Sequence, residues 1–158
     1  MHLYVVRHAT AEDAKPGEAD ASRRLTADGE RKFRRAVQGM RQLDWRFARV
    51  LASPWSRAHR TAELLEPVSE ADPIATDLLC QTPSLTLLAL LAEVDRTAVV
   101  GHEPWLGELI AWLVFGDPKL GDSITLKKGS VAWLDGSVTA GGMKLRAVVP
   151  PKLLRALR

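Results

Sequence analysis

Leu3-Tyr4-Val5-Val6-Arg7-His8-Ala9 decides how this chain is read. Four apolar residues in a row predict a short buried strand. The strand ends on an arginine and a histidine, side by side. Open α/β sheets bind their ligands in the crevice past the carboxyl ends of the strands. Arg7 and His8 therefore stand where a site would form, provided that this strand lies within such a sheet.

Two later stretches repeat the pattern. Arg49-Val50-Leu51-Ala52 is a short apolar run that leads into Ser53-Pro54, a helix-start signal with Ser53 as cap and Pro54 at the first helical position. Arg57 then falls in the first turn of that helix. Thr97-Ala98-Val99-Val100-Gly101 ends on His102, and Glu103-Pro104 opens the next helix. Three strands thus deliver Arg7, His8, Arg57 and His102 to similar ends, beside two helix N-termini. Arginines and helix N-termini both favour a bound anion, and phosphate is the usual one.

Composition sets the outer bounds. A chain of 158 residues predicts one domain with a single core, and 46% apolar with 26% charged residues is ordinary for a soluble globular protein. A net charge of +3 is too small to argue for nucleic acid. The single cysteine, Cys80, permits no intramolecular disulfide, which suits a reducing cytosol. No basic leader precedes the first strand, and the longest apolar stretch, 104–115, is too short for a membrane span and carries Glu108. A cytoplasmic monomer is expected.

Residues 9–25 show no period and read as a long loop. It leaves directly from His8, which favours a lid over a plain surface excursion. Thr26 caps a helix whose apolar face is Phe33, Ala36, Val37, Met40 and Leu43; the arginines opposite, among them Arg31, Arg34, Arg35 and Arg41, read as a solvated face. Beyond it the pattern predicts a strand over 48–52, a helix over 54–66, a strand over 74–79, and a helix over 85–94 capped by Ser84. A strand over 97–101 and a helix over 104–115 follow. Strands near 130–134 and 143–149 extend the sheet, with an antiparallel member at an edge, and 150–158 forms a short basic helix. Strand–helix alternation over the first 115 residues predicts a three-layer α/β/α sandwich around a mostly parallel sheet. His2 and His59 lack the strand-end setting and read as surface residues. Trp55 and Trp105 each follow a proline at a helix start, where core packing is favoured over an apolar rim.

The chemistry follows from the residue types. A phosphoryl group reacts through a transition state with charge spread over three oxygens, so positioning and electrostatics dominate. Two guanidiniums can each grip oxygens bidentately, which lysine cannot do as well. His102 can donate to a third oxygen. A neutral His8 can attack phosphorus and form a covalent phosphohistidine, and nearby positive charge should keep it neutral.

Arg7-His8-Ala9 resembles the signature of the histidine phosphatase superfamily, whose members have a phosphoglycerate mutase-like fold. Arg24-Leu25-Thr26-x-x-Gly29, Ser53-Pro-x-x-Arg57-Ala58 and Gly101-His102-x-Pro104 resemble its further motifs, in the same order. The short length and Ala9 are similar to the SixA-type phosphohistidine phosphatases. The resemblance implies His8 as nucleophile and Arg7, Arg57 and His102 as the phosphate pocket, with no metal and no cofactor. The match thins at the general acid. Asp77 follows the second helix, where mutase-like members draw the acid, and Glu103 follows the second histidine, as in acid-phosphatase-like members. Glu103 is the better candidate, with a helix-cap carboxylate as its plain alternative, and Glu12 and Asp13 are weaker ones. A phosphohistidine substrate needs less help, because imidazole leaves more easily than an alkoxide. The expected activity is therefore hydrolysis of a phosphoryl group, best on a phosphohistidine protein. A small-metabolite phosphomonoesterase, a non-catalytic phosphate- or phosphoprotein-binding module and a phosphoglycerate mutase are the competing readings.

Overall fold

The protein is described by a computed structural model covering residues 1–157; Arg158, the last residue of the predicted basic tail, lies outside the described residues. Six strands form one sheet: β1 (His2–Arg7), β2 (Arg49–Ala52), β3 (Ile74–Ala75), β4 (Thr97–Gly101), β5 (Val131–Gly136) and β6 (Met143–Val149), in the spatial order β3-β2-β4-β1-β5-β6. β3, β2, β4 and β1 are parallel to one another. β5 pairs antiparallel with both β1 and β6.

Alternation along each strand divides the core into two layers. Tyr4 and Val6 of β1 join Val50, Ala98, Val100 and Val131 beneath α1 (Ala27–Gln42) and α2 (Ser56–Glu63). Leu3 and Val5 join Leu51, Val99, Ala132 and Leu134 beneath α3 (Leu85–Ala92) and α4 (Trp105–Phe115). The three-layer sandwich expected from the sequence is the observed architecture. The apolar stripe read on α1 is buried, and Thr26 caps it, its side chain accepting from the Gly29 amide. Ser84 caps α3 in the same way, accepting from the Leu87 amide.

Gly29 shows how tightly the chain leaving β1 is held. A Cβ at this position would lie 2.2 Å from the Thr10 carbonyl oxygen. Only glycine lets the first turn of α1 approach the backbone just past His8. A short final helix, α5 (Pro151–Leu154), closes the same layer. Its Leu154 carbonyl would be 1.9 Å from a Cβ at Gly39.

Several boundaries differ from the sequence reading. The helix after β2 begins at Ser56, not Pro54, and Trp55 is its cap residue. Ser53 spends its hydroxyl elsewhere, as described below. Of Ile74–Leu79 only the first two residues form a strand: Thr76 accepts from the Leu78 amide, and this local cap turns Asp77–Leu79 into a 3-10 turn that leaves the sheet. The antiparallel strand is β5, second from the edge, while β6 at the edge runs parallel to β1. The loop 9–25 carries structure of its own, an Ala11–Leu25 bridge and a 3-10 turn at Asp20–Ser22. Among the described residues no helix is long and apolar enough to cross a membrane.

Candidate active site

The parallel strands finish along one edge of the sheet, and Arg7, His8 and His102 lie at the ends of β1 and β4. His8 is locked by backbone: its amide donates to the Gly101 carbonyl (3.1 Å), and its own carbonyl accepts from Gly129 (3.0 Å). Thr61 of α2 accepts from the Ala9 amide and donates to the Arg57 carbonyl, which ties the turn holding Arg57 to the chain after His8. His8, Arg57 and His102 are almost wholly buried, at 5%, 5% and 3% exposure.

Hydrogen bonding fixes the state of His8. Nδ1 lies 2.7 Å from the Ala9 carbonyl, which can only accept, so Nδ1 carries the proton. Nε2 keeps its lone pair and accepts from Arg57 Nε at 3.3 Å. Burial, with a smaller push from Arg57, Arg7 and Lys128, lowers the imidazole pKa to about 4. Desolvation, rather than the neighbouring charges expected from the sequence, is the larger cause. His102, whose ring centre is 5.2 Å from that of His8, is lowered to about 3, again by burial first, then by the neighbouring His8 and by Arg57 and Arg7. Both imidazoles are neutral at pH 7.

Ser53 is the side chain that sequence reasoning misplaced. It accepts from the Trp55 amide and sits 2.8 Å from His102 Nε2. It thus orients the second histidine, a role hidden because Ser-Pro is also a good helix start. His102 Nδ1 is buried without a partner among the described residues, and so is Arg7 Nε.

The two arginines are supported from opposite sides. Arg7 Nη1 donates to the Leu126 carbonyl, in the segment before β5. Burial is the main cause that lowers its pKa, and Glu103 opposes the shift. Arg57 donates through Nη1 to the Asp20 carbonyl (2.6 Å) and through Nη2 to the Asp20 carboxylate (2.8 Å). Asp20 lies in the loop read as a lid, and nothing in its sequence setting singles it out. Arg23 and Arg57 together hold the Asp20 carboxyl below the usual carboxylate range.

Glu103 is fully engaged by backbone. Oε2 accepts from the Gly107 amide (3.0 Å) and Oε1 from the Leu126 amide (2.8 Å). The carboxylate joins the start of α4 to the segment that carries Arg7's acceptor. Glu12 faces Lys15 instead, at 3.7 Å. Trp55 and Trp105 form a half-buried aromatic wall beside His102, contrary to the core role favoured from sequence. Their rings meet edge to face at 5.8 Å, Trp55 lies 4.7 Å from His102, and the Arg57 guanidinium stands 4.9 Å over Trp55. Such a cation–ring contact further fixes the guanidinium. His2 lies away from the cluster, against Trp133 and Asp135.

Comparison with known proteins agrees with this arrangement. The histidine phosphatase superfamily (branch 1) matches residues 3–80 by its sequence pattern. An uncharacterized protein of Picosynechococcus sp. is 34% identical over 142 residues, which span 85% of this chain and 84% of the relative. The structure of the protein histidine phosphatase SixA complexed with tungstate superposes with a TM-score of 0.80 at 25% identity, over 98% of this chain and 99% of that one. The alpha-ribazole phosphatase of Shigella flexneri shares the fold, with a TM-score of 0.74 at 17% identity over 96% and 97% of the two chains. By motif, fold and site together, this chain belongs to the histidine phosphatase superfamily, branch 1, as a SixA-type phosphatase.

Proposed function

We propose that the protein is a phosphohistidine phosphatase that passes the phosphoryl group through His8. One observation carries this reading. Two buried side-chain nitrogens without partners, Arg7 Nε and His102 Nδ1, accompany the unprotonated Nε2 of His8. Buried unpartnered donors each cost about 1–3 kcal/mol unless an acceptor meets them. A phosphoryl group supplies such acceptors.

In the first step the Nε2 lone pair of His8 attacks phosphorus. A P–Nε2 bond forms and the bond to the leaving nitrogen breaks; the substrate ring reacts with its other nitrogen protonated, so it keeps that electron pair and departs as a neutral imidazole. Arg7, Arg57 and His102 hold the three peripheral oxygens as their charge grows. With the Ser53 hydroxyl donating to His102 Nε2, Nδ1 of His102 carries the proton offered to substrate. In the second step water attacks phosphorus, the P–Nε2 pair returns to His8, and phosphate leaves with the protons of water shared with solvent.

The substrate class rests on the state of the carboxylates. Both oxygens of Glu103 are occupied by amides, and Asp20 is held by two arginines. Neither is free to protonate an alkoxide. A phosphohistidine protonated on its other ring nitrogen, with an ordinary imidazolium pKa of about 6.5, releases a neutral imidazole without such an acid. We therefore assign Glu103 to positioning rather than to proton transfer.

The test is turnover of a phosphohistidine protein, an aryl phosphate and an alkyl sugar phosphate, side by side without added metal. The expected result is hydrolysis of the first two and almost none of the third, with acid-labile phosphate trapped on His8. Rapid sugar phosphate hydrolysis lost in Glu103→Gln would make the protein a metabolite phosphatase with Glu103 as acid. Phosphate binding without turnover of any substrate would make it a binding module.

A further inference from the structure

The arginines of α1 are exposed, as the sequence reading of a solvated face expects, and two of them, Arg35 and Arg41, line one of two adjoining clefts that lead away from the chain just past His8. One cleft, of about 210 Å³, starts at Ala9 beside His8 and is walled by Lys128, Lys32 and Arg155. A second, of about 660 Å³, shares Arg155 and continues between Arg35, Arg41 and Arg46. Among the described residues no carboxylate lines either cleft. Six cations stand along this path in a chain whose net charge is only +3.

Most of these cations are not spent on the protein's own acids. Among the described residues only Lys32 of the six has an ion-pair partner, Asp28. Elsewhere on α1 and α2 the basic residues are paired, as Arg31 is to Asp28, Arg34 to Glu30 and Arg60 to Glu30 and Glu63. Lys32 and Arg35 lie three residues apart on one helix face, where like charges repel. A largely unpaired row of this kind costs stability unless an external anion meets it.

The length of the path limits what that anion can be. Lys32 to Arg41 spans roughly 14 Å along the helix, at 1.5 Å per residue. A single small phosphate ester cannot reach His8 and Arg41 together. Nucleic acid is disfavoured because the only aromatic side chain along the clefts, Phe33, is buried at 2% exposure, which leaves no platform for stacked bases. We infer that the Lys128–Lys32–Arg155–Arg35–Arg41–Arg46 channel docks the acidic surface of the phosphoprotein substrate, next to the phosphorylated side chain that enters at His8. This inference rests on the phosphohistidine reading and names the kind of protein that meets it.

The experiment compares two phosphohistidine peptides, one with glutamates on one flank and one with glutamines there, on the wild type and on Arg35→Gln/Arg41→Gln/Arg155→Gln. Glutamine keeps helix propensity close to that of arginine. The expected result is a KM for the acidic peptide raised about tenfold in the variant, from the loss of three solvent-screened contacts. Its kcat, the glutamine peptide and an aryl phosphate should be unchanged, and the wild-type preference should shrink as salt rises. Equal KM values for the two peptides on the wild type would overturn the inference. So would parallel loss of aryl phosphate turnover, or an oligonucleotide that displaces the acidic peptide at lower concentration than poly-glutamate. If neither peptide is hydrolysed by the wild type, the phosphohistidine reading fails, and titration of the unphosphorylated glutamate peptide then decides the docking surface. Tighter binding to wild type than to the variant upholds it; equal binding sinks it.

Discussion

The segment before β5 and the loop after β1 each hold one arginine of the site, and they do it differently. Leu126 offers Arg7 a backbone carbonyl, braced from behind by Glu103 through the Leu126 amide. Asp20 offers Arg57 a carbonyl and a carboxylate from a side chain that is half exposed. A carbonyl fixes a guanidinium and leaves its charge available. A carboxylate fixes it and neutralises it, and a phosphate must displace it or share with it. One side of the site is permanent and the other is exchangeable.

The largest effect is expected where both sides converge. His8→Ala should lower turnover of an aryl phosphate by at least about 10³-fold, the scale seen when a nucleophile is deleted. Phosphate binding measured by calorimetry should persist, because both arginines remain. Loss of binding together with turnover would mean that His8 organises the pocket rather than attacks. Next come the arginines themselves. Arg7→Lys and Arg57→Lys should each lower kcat/KM by about 10²-fold, since lysine cannot match a fork that grips two oxygens. Adding free guanidinium to the Arg57 variant should restore more activity than adding it to the Arg7 variant, whose site is closed by Leu126. Equal rescue would mean that the two arginine sites are equally open.

The pH profile separates the neutral imidazoles from ordinary ones. His8 must be unprotonated to attack, and its pKa of about 4 places the acid limb of kcat/KM near that pH instead of near 6.5. Stability has the same sign. Between the ordinary histidine value and the lowered folded values of His8 and His102, the unfolded chain binds protons that the folded chain refuses, so stability falls as pH drops through that window. Urea melts between neutral pH and pH 4 read this directly; a flat response would argue against two buried neutral histidines.

Smaller effects probe each support. Glu103→Gln leaves one oxygen where two amides need acceptors, so it should destabilise the fold by about 1–3 kcal/mol while reducing aryl and sugar phosphate turnover by similar factors. A defect confined to the sugar phosphate would instead reveal an acid. Asp20→Asn should tighten phosphate binding only a few-fold, because it removes a competing charge that is itself largely solvated. Weaker binding in this variant would show that Asp20 positions Arg57 more than it opposes the ligand.

The parts of the molecule legible in sequence are those set by strong local rules. Apolar runs ending in His8 and His102 sit at strand ends because parallel strands share one carboxyl edge, and Arg57 follows from the helix that must start there. Helix caps at Thr26 and Ser84 were equally plain. What escaped depends on contacts between distant segments. Ser53 carries a helix-start signal, yet it serves His102, 49 residues away. Asp20 lies in a stretch with no period, and only the folded loop brings it onto Arg57. Leu126 is an unremarked apolar residue whose backbone, not its side chain, matters. Trp55 and Trp105 read as core by composition, and the rim they form depends on where two helices begin relative to each other.

The reversed direction of β5 has a consequence for how the protein is made. The parallel strands reach the site at their ends, whereas β5 reaches it at its beginning, so the residues just before it meet Arg7 and His8. A nascent chain that has emerged from the ribosome only through α4 already carries Arg7, His8, Arg57 and His102, but it lacks the Leu126 carbonyl and the Gly129 amide that hold the first two. Synthesis therefore presents every reactive side chain early and assembles them late. The last third of the polypeptide, which contributes none of the four motif residues, decides when the phosphatase first becomes competent.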